Sequence, residues 1–153
     1  MVEYLLKAKA NTNLQNKQGL TPLMVAIDND HDSIMNLLLK AGCKLHLQSY
    51  EKGYMALHHC VKSYDIDKVK LVLNHGAPVD CQDDQWQTPL ITSIYEHQFD
   101  IPKYLIKKGA NVSRAIFLLS VNVDKIKMDI IIDIIKHIVL CELFNFYERP
   151  LNS

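Results

Sequence analysis

Two separate markers in this chain repeat with one period, and that restricts what it can fold into. Gly19-Leu20-Thr21-Pro22-Leu23, Gly53-Tyr54-Met55-Ala56-Leu57 and Trp86-Gln87-Thr88-Pro89-Leu90 align, with their closing leucines 34 and then 33 residues apart. A second register comes from Leu38-Leu39-Lys40-Ala41-Gly42-Cys43, Val72-Leu73-Asn74-His75-Gly76-Ala77 and Leu105-Ile106-Lys107-Lys108-Gly109-Ala110, whose glycines are also 34 and 33 apart. Units of this size cannot bury an apolar face alone, so neighbours must stack to make a core. Gly42 to Leu57 spans 15 residues and Gly76 to Leu90 spans 14, which places one extra residue between helices, near Gln48 and Ser49.

Each unit reads as turn, short helix, turn, second helix and glycine stop. Thr21 before Pro22, and Thr88 before Pro89, set a hydroxyl cap ahead of a proline whose missing N–H costs nothing at the first helical position. In the second helices, Ile34, Leu37 and Leu38, then Val69, Leu71 and Val72, then Ile101, Tyr104 and Leu105 form apolar stripes. Gly42, Gly76 and Gly109 end those helices by accepting a left-handed backbone. Pro102 is tolerated because it sits in a first turn.

These residues resemble the ankyrin repeat family, whose period is about 33 residues with a T-P-L-H-x-A signature. The resemblance implies an all-α solenoid of stacked helix-turn-helix units with short β-hairpin loops. A single domain over 1–153 is expected, divided into a partial repeat (1–15), three repeats (16–49, 50–82 and 83–115) and a degenerate helical cap (116–153). In the partial repeat, Val2, Leu5 and Leu6 followed by Lys9-Ala10-Asn11 read as the end of a second helix. The chain thus starts inside a repeat and leaves an apolar face, so it reads as a fragment or shortened form of a longer array. Met24 and Ile91 stand where the signature has histidine, Met55-Ala56 where it has Thr-Pro, and Trp86 where the turn has glycine. A bulky residue at that turn is expected to be driven to positive φ.

Other function classes find little support. Seventeen basic side chains balance 17 acidic ones at a pI near 7, so no long-range field draws the chain to nucleic acid or to an anionic membrane. Glu3, Lys7 and Lys9 interrupt any signal-peptide core. Charges at Asp133, Lys136 and Glu142, with His137, break the apolar run from Ile130 to Phe144, which falls short of a membrane span. Cys43, Cys60, Cys81 and Cys141 form no CxxC pair, which fits a reducing compartment, cytoplasmic or nuclear. His58, His59 and Cys60 invite a metal reading, but adjacent helical residues point about 100° apart and do not readily share one ion. His58 matches the signature histidine and Cys60 the small core place of Ala26 and Ser93. No nucleophile triad, phosphate loop or HExxH motif is present, so no enzyme, metal or cofactor is expected.

The resemblance implies a protein-recognition surface made of hairpin tips and the exposed side of the first helices. On it lie Leu20, Tyr54 and Trp86, with Asp28, Lys62, Ser63, Tyr95 and Glu96 behind them. Aromatic side chains in such places are anchor-like. The expected role is a non-catalytic adaptor or scaffold that binds another protein; the alternative is a structural piece of a larger array in a channel, receptor or ubiquitin-ligase adaptor. A monomer is expected unless the open N-terminal face pairs. The Ile126–Val139 stretch reads either as the last helix packed on the third repeat or as a partner-binding amphipathic helix. The family's asparaginyl hydroxylation site, seven places after the last leucine of a second helix, falls on Asn13, His46 and Asp80.

Overall fold

A computed structural model describes residues 1–122 together with Ile132 and Lys136. The order is α1 (Val2–Lys7), α2 (Pro22–Asp28), α3 (Asp32–Lys40), α4 (Ala56–Lys62), α5 (Ile66–Asn74), α6 (Pro89–Tyr95), α7 (Asp100–Lys107) and α8 (Val112–Asn122). No strand occurs among the described residues, in keeping with the expected all-α class. The chain divides into two compact units after Val112. The first holds the helix pairs α2–α3, α4–α5 and α6–α7. Of the second, the described part is the run of α8 from Ser113 to Asn122 with Ile132 and Lys136. Apart from Ile132 and Lys136, the stretch from Ile126 to Val139 lies outside the described residues, as does most of the expected cap.

Local chemistry sets the helix ends. The Thr21 hydroxyl accepts the Met24 N–H at 3.3 Å and the Thr88 hydroxyl that of Ile91 at 3.4 Å, with Pro22 and Pro89 next in line. Each second helix closes with the N–H of the third residue past its end donating back into it: Cys43 to Leu38, Ala77 to Val72 and Ala110 to Leu105. Ala10 donates to Leu5 in the same way, and Lys9, in the place of Gly42, has φ 58°. By this geometry α1 is the second helix of a partial repeat.

Within the first unit, α2, α4 and α6 pack in one row, and the second helices line up behind them, α1 against α3 and α5 against α7. Leu23, Ile27, Leu57, Val61, Leu90 and Leu105 fill the space between. The expected stripes need correction. Ile34, Leu37, Leu71 and Tyr104 are only half-buried, whereas Met35, Leu38, Val69, Val72, Ile101 and Leu105 are buried. Lys68, in the place that Ile34 and Ile101 hold in the neighbouring repeats, is only 5% exposed.

The hairpin tips also stack. Tyr50 N–H donates to Gln18 O and Asp84 N–H to Lys52 O, at 2.9 and 3.0 Å. Glutamine amides run alongside, from Gln15 Nε2 to Gln48 O and from Gln48 Nε2 to Gln82 O. Because Asn16 and Asp83 each accept an N–H four residues on, while Ser49 accepts one five residues on, the extra residue sits at the second hairpin tip, between Ser49 and Tyr54. That is slightly beyond the expected place near Gln48 and Ser49, since the glutamine ladder keeps the residues before Ser49 in register.

Candidate functional site

The row of first helices carries a network that runs across all three repeats. Asp28, at the end of α2, accepts from His59 Nδ1 on α4 at 2.8 Å. Lys62, at the end of α4, meets Glu96 after α6 at 3.3 Å, and the Tyr64 hydroxyl donates to the same carboxylate. The Tyr64 bond, followed by the Lys62 ammonium, holds the Glu96 carboxyl below its ordinary range. Tyr54 lies at the centre. Its ring stacks on His58 with centroids 5.3 Å apart, meets His59 edge-on at 6.0 Å, and has the ammonium groups of Lys52 and Lys62 within 5.8 and 5.7 Å. Cations over a tyrosine face are favourable and fix the ring.

Beneath the ring His58 is fully buried. Its Nδ1 accepts the Met55 N–H at 3.3 Å, which leaves the proton on Nε2 to donate to Gln87 O at 3.2 Å in the next hairpin. Burial pushes its pKa down to about 4, so the ring is neutral near pH 7. In the first repeat the Met24 sulfur does a weaker version of this job, accepting the Thr21 N–H at 3.5 Å; Ile91 in the third has no acceptor to offer. Cys60 is buried, with its thiol pushed well above its usual range, and burial raises the Cys81 thiol to about 12. Both are inert packing groups at neutral pH. No cluster of three or more metal-ligating side chains exists among the described residues.

Of the site residues expected from sequence, Asp28, Tyr54, Lys62 and Glu96 come together in this network. Ser63 lies within it but spends its hydroxyl on Cys60 O at 2.8 Å, closing the helix. Tyr95 is half-buried. Leu20 lines a groove on the opposite side of α2. Trp86 stands one place away from the Leu20–Tyr54 row: Gln87 holds the equivalent position, and Trp86 that of Gly19 and Gly53. At those glycines a Cβ would meet Tyr50 N at 2.5 Å and Asp84 N at 2.8 Å, because the next hairpin lies against them. No hairpin follows the third among the described residues, where the chain passes from Gly109 into α8. Trp86 takes a strained φ of 63°, and its indole is 65% exposed. From sequence His59 was weighed only as a metal ligand and Tyr64 was not singled out, although Asp28, Lys62 and Glu96 mark their neighbourhood.

The three hairpin positions part company. Asn13 Oδ1 accepts the Lys44 N–H at 2.7 Å and Asp80 Oδ1 that of Asn111 at 2.9 Å, each tying one repeat to the next. The residue facing His46 in this register is Pro78, which has no N–H to give, and His46 is exposed.

A family model for ankyrin repeats in three copies matches residues 1–49 and 42–116. The ankyrin repeat protein FPV031 of Fowlpox virus (strain NVSL) is 34% identical over 116 residues, covering 74% of this chain and 34% of its own. The B-cell lymphoma 3 protein homolog of Mus musculus is 28% identical over 122 residues, 76% of this chain and 27% of its own. The potassium channel AKT2/3 of Arabidopsis thaliana is 25% identical over 142 residues, 73% of this chain and 18% of its own. The chain thus spans about a third or less of the length of these relatives.

Proposed function

The chain belongs to the ankyrin repeat family, and from that premise we propose that it is a non-catalytic adaptor or scaffold which reads another protein through the first-helix and hairpin face. Ankyrin repeats mediate protein–protein interaction. The observation that carries the reading is the Tyr54 centre. An aromatic ring held between two histidines and two lysines, flanked by paired Asp28 and Glu96, gives a rigid anchor with fixed charges around it, the composition of a recognition hot spot. Trp86, exposed beyond it, supplies apolar area at the edge. Free, buried thiols at Cys43, Cys60 and Cys81 fit a cytoplasmic or nuclear setting. No helix among the described residues is long and apolar enough to cross a membrane.

The test pairs proximity labelling of the intact chain, to identify the partner, with a charge swap. Lys62→Glu together with Glu96→Lys keeps the ion pair and reverses the pattern a partner meets. The expected result is a melt lowered by about 1–2 kcal/mol at most, for the lost Tyr64–Glu96 bond and the Lys62 cation over Tyr54, and at least about tenfold weaker binding, the scale of a hot-spot loss. Unchanged affinity for every labelled partner would move the interface elsewhere. Asn13, with His46 and Asp80, is the proposed hydroxylation site; after coexpression with an asparaginyl hydroxylase, a mass gain of one oxygen on the Asn13 peptide supports it and its absence removes it. A second reading, a structural piece of a larger array, is favoured by the greater length of the relatives and requires a channel, receptor or ligase-adaptor region in the same gene product.

A further inference from the structure

The neutral total charge conceals an uneven division between the two ends of the helices. The turns between first and second helix, residues 28–32, 62–67 and 95–100, hold seven acids. Six of these already meet a cation of the chain: Asp28 bonds His59, Asp30, Asp32 and Asp65 surround Lys68, Asp67 meets Lys70 and Glu96 meets Lys62. The turns after the second helices, residues 7–11, 40–44, 74–78 and 107–111, hold no acid and six lysines: Lys7, Lys9, Lys40, Lys44, Lys107 and Lys108. All six are exposed, and none has a carboxylate within ion-pair distance among the described residues. Lys108 reaches only the neutral Asn74 Oδ1, at 3.5 Å. Asp80 borders this edge but spends an oxygen on the Asn111 N–H at 2.9 Å. The helix dipole calls for a cation in each last turn, and Lys7, Lys40 and Lys107 answer it. Lys9, Lys44 and Lys108 lie beyond the helices and exceed that need. Lys40 and Lys44 are exposed with a repeat on either side, so the edge belongs to the flank of the stack and not to its end. Asn74 and Pro78 hold the places of Lys40 and Lys44 in the next repeat, which divides the edge into two basic clusters with a neutral middle.

We propose that this edge docks an acidic polypeptide segment whose carboxylates fall in two groups, one on Lys7, Lys9, Lys40 and Lys44 and the other on Lys107 and Lys108. The acidic edge is neutralised within the chain; the basic edge is not, and its charge is complementary to such a guest. Neighbouring second helices stand about 10 Å apart, so Lys40 to Lys107 is about 20 Å, the reach of about six extended residues. A polypeptide suits the edge better than a polyphosphate. The carbonyls of Lys40 and Lys107, the last of their helices, accept no backbone N–H among the described residues, and a peptide brings N–H donors that a phosphate backbone lacks. Evenly spaced phosphates also lay charge on the neutral middle, where an acidic segment can carry a neutral spacer. The guest is separate from the partner read at Tyr54, and the inference does not rest on that reading.

The probe is a fluorescent peptide with aspartates and glutamates at both ends and about six glycine and serine residues between them. A comparison peptide has the same composition with its acids gathered in the middle. Anisotropy titrations with the full chain are expected to show saturable binding of the first and at least about threefold weaker binding of the second. Raising NaCl from about 0.05 to about 0.5 M is expected to weaken binding at least about tenfold. Lys40→Gln with Lys44→Gln is expected to weaken it about fivefold, the worth of two exposed pairs, while Lys17→Gln, on the first hairpin, leaves it unchanged. Carbodiimide coupling of the bound peptide's carboxylates is expected to mark lysines of the turns after the second helices. The proposal is overturned if the first peptide shows no saturable binding at low salt, if both peptides bind alike, or if Lys17→Gln weakens binding as much as the paired change. Tighter binding of an oligothymidylate or of phosphatidylserine vesicles overturns it equally, by assigning the edge to nucleic acid or to a membrane surface.

Discussion

Replacing Lys68 with isoleucine is expected to leave the protein as stable as before or to raise its stability by about 1 kcal/mol, although it deletes a buried cation with three acidic neighbours. Its ammonium bonds Asp30 and lies 3.9 Å from both Asp32 and Asp65. The carboxylates overcome the burial penalty and raise the Lys68 pKa, so the lysine is charged at neutral pH. The acids, however, reach solvent: Asp30 is 81% and Asp32 69% exposed. Ion pairs with such partners are worth about 0–1 kcal/mol each. Removing the lysine leaves no buried charge behind, since the group taken away is the buried one, and that removes the usual large penalty of a broken pair. Isoleucine is the residue at both equivalent places, Ile34 and Ile101, so its shape suits the site, and burying it contributes about 1.5–3 kcal/mol against what the lysine stem already contributes. Lys68→Ala, which loses the stem as well, is expected to cost about 1–3 kcal/mol. Urea melts with m held constant give these differences, and raising NaCl to about 1 M should favour Lys68→Ile further by screening the wild-type pair. A loss above about 2 kcal/mol in Lys68→Ile would refute the reasoning and make the acidic clamp a principal bond between repeats.

Leu57→Ala, in the fully buried core, should remove about 2–5 kcal/mol, and Leu71→Ala, at the half-buried edge, clearly less; thermal melts that rank them the other way would invert the buried register. His58 titrates at about 4 when folded against an ordinary 6.5, so the unfolded chain binds the proton first and stability should fall by about 3 kcal/mol as pH drops from 6.5 to 4. His58→Met, which copies Met24, should flatten that window in melts run across it. Asn13→Ala and Asp80→Ala should each cost about 0.5–1.5 kcal/mol for the lost bond to the next repeat. His46→Ala should stay within about 0.5 kcal/mol, because Pro78 offers nothing to accept. Trp86→Gly should leave the melt nearly unchanged, relief of the strained φ offsetting the freer unfolded chain, while weakening partner capture at least about tenfold.

The repeat, its caps and its glycine stops were legible in sequence because each rests on local chemistry, a threonine oxygen before a proline or a glycine after a leucine pair. Which stripe residues go inside was less so. Leu37 and Leu71 are as apolar as Leu38 and Val72, and only the angle between stacked helices decides between them. Lys68 reads as a solvated charge until Asp30, 38 residues earlier, is brought beside it. The Tyr54 centre was half visible: Asp28 and Lys62 hold equivalent places in their repeats, Glu96 stands one place past theirs, and His59 looked like a candidate metal ligand. Trp86 was expected at a strained turn and is found there, with φ 63°.

Whether the first-helix and hairpin face does the recognising is tested most directly by site-specific photocrosslinking. A photoreactive phenylalanine analogue at Tyr54 samples that face; the same group at Lys40, exposed on the second-helix side, samples the other. The account expects one partner to be captured from Tyr54 and not from Lys40. Capture of that partner from Lys40 alone would contradict it.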